Sequence, residues 1–179
     1  MSKILGIYLF LLAALIGIEL ALGAFVAPTI FFPQSFLGDG VLNHFQSGQL
    51  MTQIFLKYNK ILMIITAISF IFEMVNFNNN KSQNFNFRFS TLMLAVLNLI
   101  LMVLFVVVFT DYIVEAQKAG AAATQTPEFA KMHKGSEWTM KLMIISQTIL
   151  FFMKFLQPAP SGNLALNSGE SSGENSSEK

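Results

Sequence analysis

From Ile4 to about Ala27 the chain is one unbroken apolar run, and it carries a single carboxylate, Glu19. A bilayer core about 30 Å thick needs about 20 helical residues, so this run predicts a membrane-spanning helix. An acid inside such a span is costly and marks a candidate functional site. Lys3 in front and the small Ala21 and Gly23 behind resemble a cleaved leader. The apolar stretch exceeds the usual core of about 7–15 residues and contains an acid, so the expectation is a retained helix.

Three more apolar runs follow, at about 58–75, 89–112 and 139–156. Only 12% of residues are charged and 54% are hydrophobic, against about 25% charged in soluble domains. Backbone polar groups in lipid must pair within their own segment, which makes the runs helices. The expected fold class is all-α: an integral membrane four-helix bundle over residues 1–156, with an interfacial amphipathic helix before the fourth span. Residues 157–179 are polar, rich in Gly and Ser, and read as a disordered tail. Four spans place both termini on one side. Cations split five (Lys3, Lys81, Arg88, Lys154, Lys179) against six (Lys57, Lys60, Lys118, Lys131, Lys134, Lys141) between the two faces. Five against six is no bias, and Lys3 with the α-amine ahead of the first helix, against Asp39 after it, gives the expectation of cytoplasmic termini; the expected location is a bacterial inner membrane.

Glu19 has Leu15, Ile16, Leu22 and Gly23 as its helical neighbours, so its own helix offers no partner. It is either a proton or cation ligand, or a neutral or paired acid that fixes packing. Two long connections, about 28–57 and 113–138, lie on the face opposite the short 76–88 turn. Lys60 and Lys141 begin the second and fourth spans, and Asp111 ends the third, all on that long-loop side. A pocket of Glu19, Lys60, Asp111 and Lys141 is one expectation; separate snorkelling of the three end residues is the other. Asn98 lies near the middle of the third span, as a structural polar residue. Ala13, Gly17, Ala21 and Ala24 make a small face on the first helix, read as packing within the bundle before a seam to another chain. Pro28 ends or kinks that helix.

In TQTPEFAKMHKGSEWTMK, Thr126 reads as an N-cap, Pro127 as the first helical residue and Glu128 as a complement to the dipole. His133, Glu137 and Lys141 follow at four-residue steps. His133 is a candidate ligand or pH-sensitive group, or a hydrogen-bonded interfacial residue. There are two histidines and no cysteine, so thiolate metal sites, disulfides and cysteine nucleophiles are excluded. A net charge of +1 gives no argument for nucleic acid.

The segments GAFVAPTIF (23–31), IFLKYN (54–59) and FAKMHKGS (129–136) resemble those of the domain-of-unknown-function 4149 family, which includes proteins similar to transmembrane protein 205. The resemblance covers about residues 4–156. Met132 stands where a Leu is expected, and Met140 where an Asn is expected. The resemblance implies a four-span membrane protein with no settled activity. The exit of the first helix also resembles copper-resistance D proteins and membrane-bound protoporphyrinogen oxidases, which use a first-helix histidine as haem ligand; this first helix has none.

The leading expectation is a non-enzymatic membrane protein handling a small solute, proton or metal ion in envelope physiology. The second is an assembly factor or accessory subunit acting through helix packing. The third is haem- or copper-linked redox chemistry. The bilayer is the expected partner, with a homo-oligomer or another membrane protein beside it. The sequence names no cofactor and leaves the metal open.

Overall fold

The computed structural model describes residues 3–38 and 40–157. The tail expected to be disordered lies almost wholly outside the described residues. Among them the chain is helical, with no strand. Four helices are long: α1, Lys3–Phe31; α2, His44–Asn79; α3, Phe85–Lys118; and α4, Pro127–Phe155. The first three are long and apolar enough to cross a membrane.

The helices run past the apolar windows because capping residues, not hydropathy, set their ends. At the start of α2, Asn43 accepts from the Gln46 amide and Gln46 Oε1 accepts from the Asn43 amide, a reciprocal cap. This draws residues 44–57, expected in a long connection, into the helix. Asn84 caps α3. Thr126 caps α4 through the Phe129 amide, with Pro127 in the first turn. The segment expected as an interfacial helix before the fourth span and the fourth apolar run form one uninterrupted helix.

Two stretches of wider, π-type turns interrupt the regular helices, at Leu22–Val26 in α1 and Leu104–Thr110 in α3. The first has an evident cause. Pro28 has no N–H and would press its ring on the carbonyl four residues back, and the wider turn relieves that contact. In the second, Thr110 Oγ1 donates to the Phe105 carbonyl, five residues back, at 2.8 Å.

α1 packs on α2 and α4, and α3 packs on α2 and α4. Neighbours run antiparallel, and cross-contacts show the register. Stepping eleven residues back along α1, from Glu19 to Tyr8, moves the contact eleven on along α2, from Tyr58 to Ser69. Seven on along α2, from Thr52 to Asn59, is seven back on α3, from Gln117 to Thr110. α1 and α3 therefore stand at opposite corners, as do α2 and α4.

The interior is as polar as it is apolar. Among the described residues, fifteen buried side chains are polar or charged and sixteen are hydrophobic. Large apolar side chains such as Phe10, Phe25, Ile64 and Val107 stand more than half exposed. A chain that places Glu and Lys inside and Phe and Ile outside fits lipid as its solvent. In α2, Thr52, Asn59, Thr66 and Glu73 are all buried and recur every seven residues. That period keeps one seam facing its neighbours in left-handed packing.

α3 and α4 come close at Gly135, where a Cβ would stand 2.8 Å from Phe109 Cε1. Gly135→Ala is expected to destabilise by about 1–3 kcal/mol through overpacking. Gly17→Ala, where a Cβ meets open space, should leave the thermal midpoint unchanged. Equal midpoints for both variants would contradict the close approach.

Candidate functional site

Glu19 sits mid-way along α1, fully buried. Tyr58 of α2 donates its hydroxyl to Glu19 Oε1 at 2.5 Å, and Gln147 Nε2 of α4 donates to the same oxygen at 3.1 Å. Leu15, Leu62 and Met143 pack in the same interior cluster as Tyr58 and are almost wholly buried. Glu19 Oε2 and Gln147 Oε1 are buried with no hydrogen-bond partner.

The pocket expected around Glu19 does not assemble. Lys60, Asp111 and Lys141 are exposed. Lys141 Nζ lies over the Trp138 ring, 5.1 Å from its centroid. The two lysines stand on outward faces of α2 and α4, so their side chains reach the surface and not the middle of the structure. His133 is also exposed, 3.4 Å from Glu137 on the same helix face and stacked beside Phe129. Asn98 is buried, and the Ser146 hydroxyl of α4 donates to its Oδ1. Gly17, Gly23 and Pro28 are exposed. The small face of α1 does not pack within the chain: Ala13, Gly17 and Ala24 face outward, and a Cβ on Gly17 or Gly23 would meet nothing within 4 Å.

A second charged cluster lies toward the α2–α3 turn. Lys154 Nζ stands 2.8 Å from Glu73 Oε2, and both side chains are buried from solvent. The ammonium also lies near the Phe72 and Phe87 rings, at 5.8 and 5.5 Å from their centroids. Tyr8 stacks on Phe72 and shares a 3.1 Å hydrogen bond with Ser69. This pair bridges α2 and α4 across the middle of the structure. α4 thus makes one polar contact with each other long helix: Gln147 with α1, Ser146 with α3 and Lys154 with α2.

The sequence reading missed Tyr58, Tyr8 and the Glu73–Lys154 pair. The seven-residue recurrence in α2 was the available signal, since it puts Glu73 on the same inward seam as Asn59. Among the described residues no group of three His, Cys, Asp or Glu side chains is placed to hold a metal ion.

Long apolar helices with a polar interior define a helical membrane protein. The model of DUF4149, a domain of unknown function, matches residues 10–122, and the chain belongs to that family. The match takes in α1, α2 and α3, with the segments 23–31 and 54–59; segment 129–136 and all of α4 lie beyond it. No curated protein and no solved structure matches the chain.

Proposed function

We propose that the chain is a four-span protein of the bacterial inner membrane, with cytoplasmic termini, that binds and releases a proton at Glu19 while handling a small solute. The observation that carries this reading is a carboxyl group at mid-depth, fully buried, held by two neutral donors and by no cation. Intramembrane acids facing a bundle interior mark proton and ion pathways. Of the three species considered, the proton fits best. A metal ion needs several converging ligands, whereas Glu19 is met by a phenol and an amide. α4 serves as the fourth span because Ser146, Gln147 and Lys154, buried in its second half, are each met by another helix.

The experiment uses the purified full-length chain in sealed vesicles with a pH-sensitive dye inside. Wild type is expected to collapse an imposed pH gradient faster than empty vesicles, and Glu19→Gln to lose most of that rate. Equal rates for all three would overturn the reading.

A second reading is favoured by a separate observation. The open face of Ala13, Gly17 and Ala24 is smooth enough for a helix of another membrane chain to approach closely. This would make the protein an accessory subunit. Cysteine crosslinking from Gly17 to a partner helix tests it, and crosslinks only between lipid-facing collisions at random positions would reject it.

A further inference from the structure

Donors and acceptors around Glu19 do not balance. Its Oε1 accepts twice, from the Tyr58 hydroxyl and from Gln147 Nε2. The remaining oxygens of the same two groups, Glu19 Oε2 and Gln147 Oε1, are both buried and both without a partner. If Glu19 is a carboxylate, both are acceptors, and a carboxyl and an amide joined edge to edge would set two oxygens against each other. Leaving such atoms unpaired in a buried site carries their full desolvation penalty. Turning the Gln147 amide over does not help, because it sets its oxygen against Glu19 Oε1 instead. One hydrogen is missing from the site in either orientation.

We propose that Glu19 carries a proton on Oε2 and donates it to Gln147 Oε1, closing a ring of two hydrogen bonds that clasps α1 to α4. The inference rests on the proton-binding reading above and names the group that reads the proton. In the protonated form, Glu19 donates through Oε2 and accepts through Oε1, and Gln147 does the reverse. Loss of the proton removes one of the two bonds and leaves the amide oxygen facing a negative charge. The clasp then opens at the α1–α4 interface, while the Tyr58 hydroxyl continues to donate to the carboxylate. The proton is thereby coupled to the packing of the first helix on the last.

No charge offers Glu19 another way to be satisfied. From α2 only the Tyr58 hydroxyl reaches it; Lys57 and Lys60 are exposed and Glu73 is paired with Lys154. On α4, Lys141 is exposed over Trp138, and Lys154 is seven residues beyond Gln147 and held by Glu73. The wider turns that follow on α1 contribute no titratable group. Asp111 of α3 is exposed, and the residues α3 shares with α1 in the core near Glu19, Leu101, Met102 and Phe105, carry no charge.

Infrared spectroscopy of the full-length protein in lipid tests the clasp. At neutral pH, wild type minus Glu19→Gln should show a carboxylic acid C=O band, and in Gln147→Leu that band should move to higher frequency because the carbonyl loses its Gln147 Nε2 donor and the hydroxyl loses its Gln147 Oε1 acceptor. If Gln147→Leu does not fold, glutamine labelled at its side-chain carbonyl gives a second measurement. The Gln147 carbonyl band should shift between acid and alkaline buffer in wild type and stay fixed in Glu19→Gln. Absence of the difference band, a band that Gln147→Leu leaves in place, or a Gln147 carbonyl indifferent to pH each overturns the clasp. A proton flux that Glu19→Gln abolishes, together with an unmoved band, ends the clasp and leaves the proton-binding reading standing.

Discussion

Lys154→Met is expected to be among the most destabilising single substitutions in the chain. Its ammonium is buried 2.8 Å from Glu73 Oε2, near the Phe72 and Phe87 rings. Removing it leaves the Glu73 carboxylate buried without the one cation that pairs with it among the described residues. Breaking a buried pair from one side costs about 3–5 kcal/mol, whereas replacing both partners with neutral groups is close to neutral. The double variant Glu73→Gln/Lys154→Met should therefore regain most of the stability that Lys154→Met loses. Lys60→Met and Lys141→Met serve as controls. Both lysines are exposed, and surface changes of this kind usually stay within about 0.5 kcal/mol. Thermal unfolding in detergent separates the outcomes. A double variant that sums the two single losses would show that Glu73 and Lys154 do not depend on each other. A large loss for Lys60→Met would return the pairing of Glu19 to the surface lysines.

The same contrast shows what hydropathy can reveal in a chain like this. Lipid-facing residues dominate any apolar window, so the first three long helices were plain to read. Interior positions are the minority, and their chemistry is set by which helix faces which. Glu19 was legible as an anomaly because nothing on its own helix can satisfy it. Its partners were not legible, because Tyr58 and Gln147 come from elements 39 and 128 residues away in sequence. Lys60 and Lys141 were attractive partners by depth alone, and depth ignores rotation about the helix axis. Asn59 is buried while its neighbour Lys60 is exposed, so one step of about 100° takes the side chain from the core to the surface. The small face of α1 failed for a related reason: spacing shows that residues share a face, not which neighbour the face meets. The cap at Thr126 was read from the sequence and stands; the cap at Asn43 was readable in principle, but the apolar window started that helix too late.

Whether α4 crosses the membrane is an all-or-none question, and the expected answer is that it does. Its apolar character alone does not place it with α1, α2 and α3. What lets it cross is that Ser146, Gln147 and Lys154 each find a partner on a different helix, so no polar group of that face meets lipid. The chain has no native cysteine, so single cysteines can be labelled without background. Cysteines at Ser82, in the turn between α2 and α3, and at Gln157, just past α4, should react with a membrane-impermeant maleimide from the same side. A cysteine at Gln125, before α4, should react only from the other. Labelling of Gln157 from the side of Gln125 would mean that α4 lies along one surface. Its contacts to Glu19, Asn98 and Glu73 could not then form within the membrane, and both the clasp and the buried pair would lose their basis.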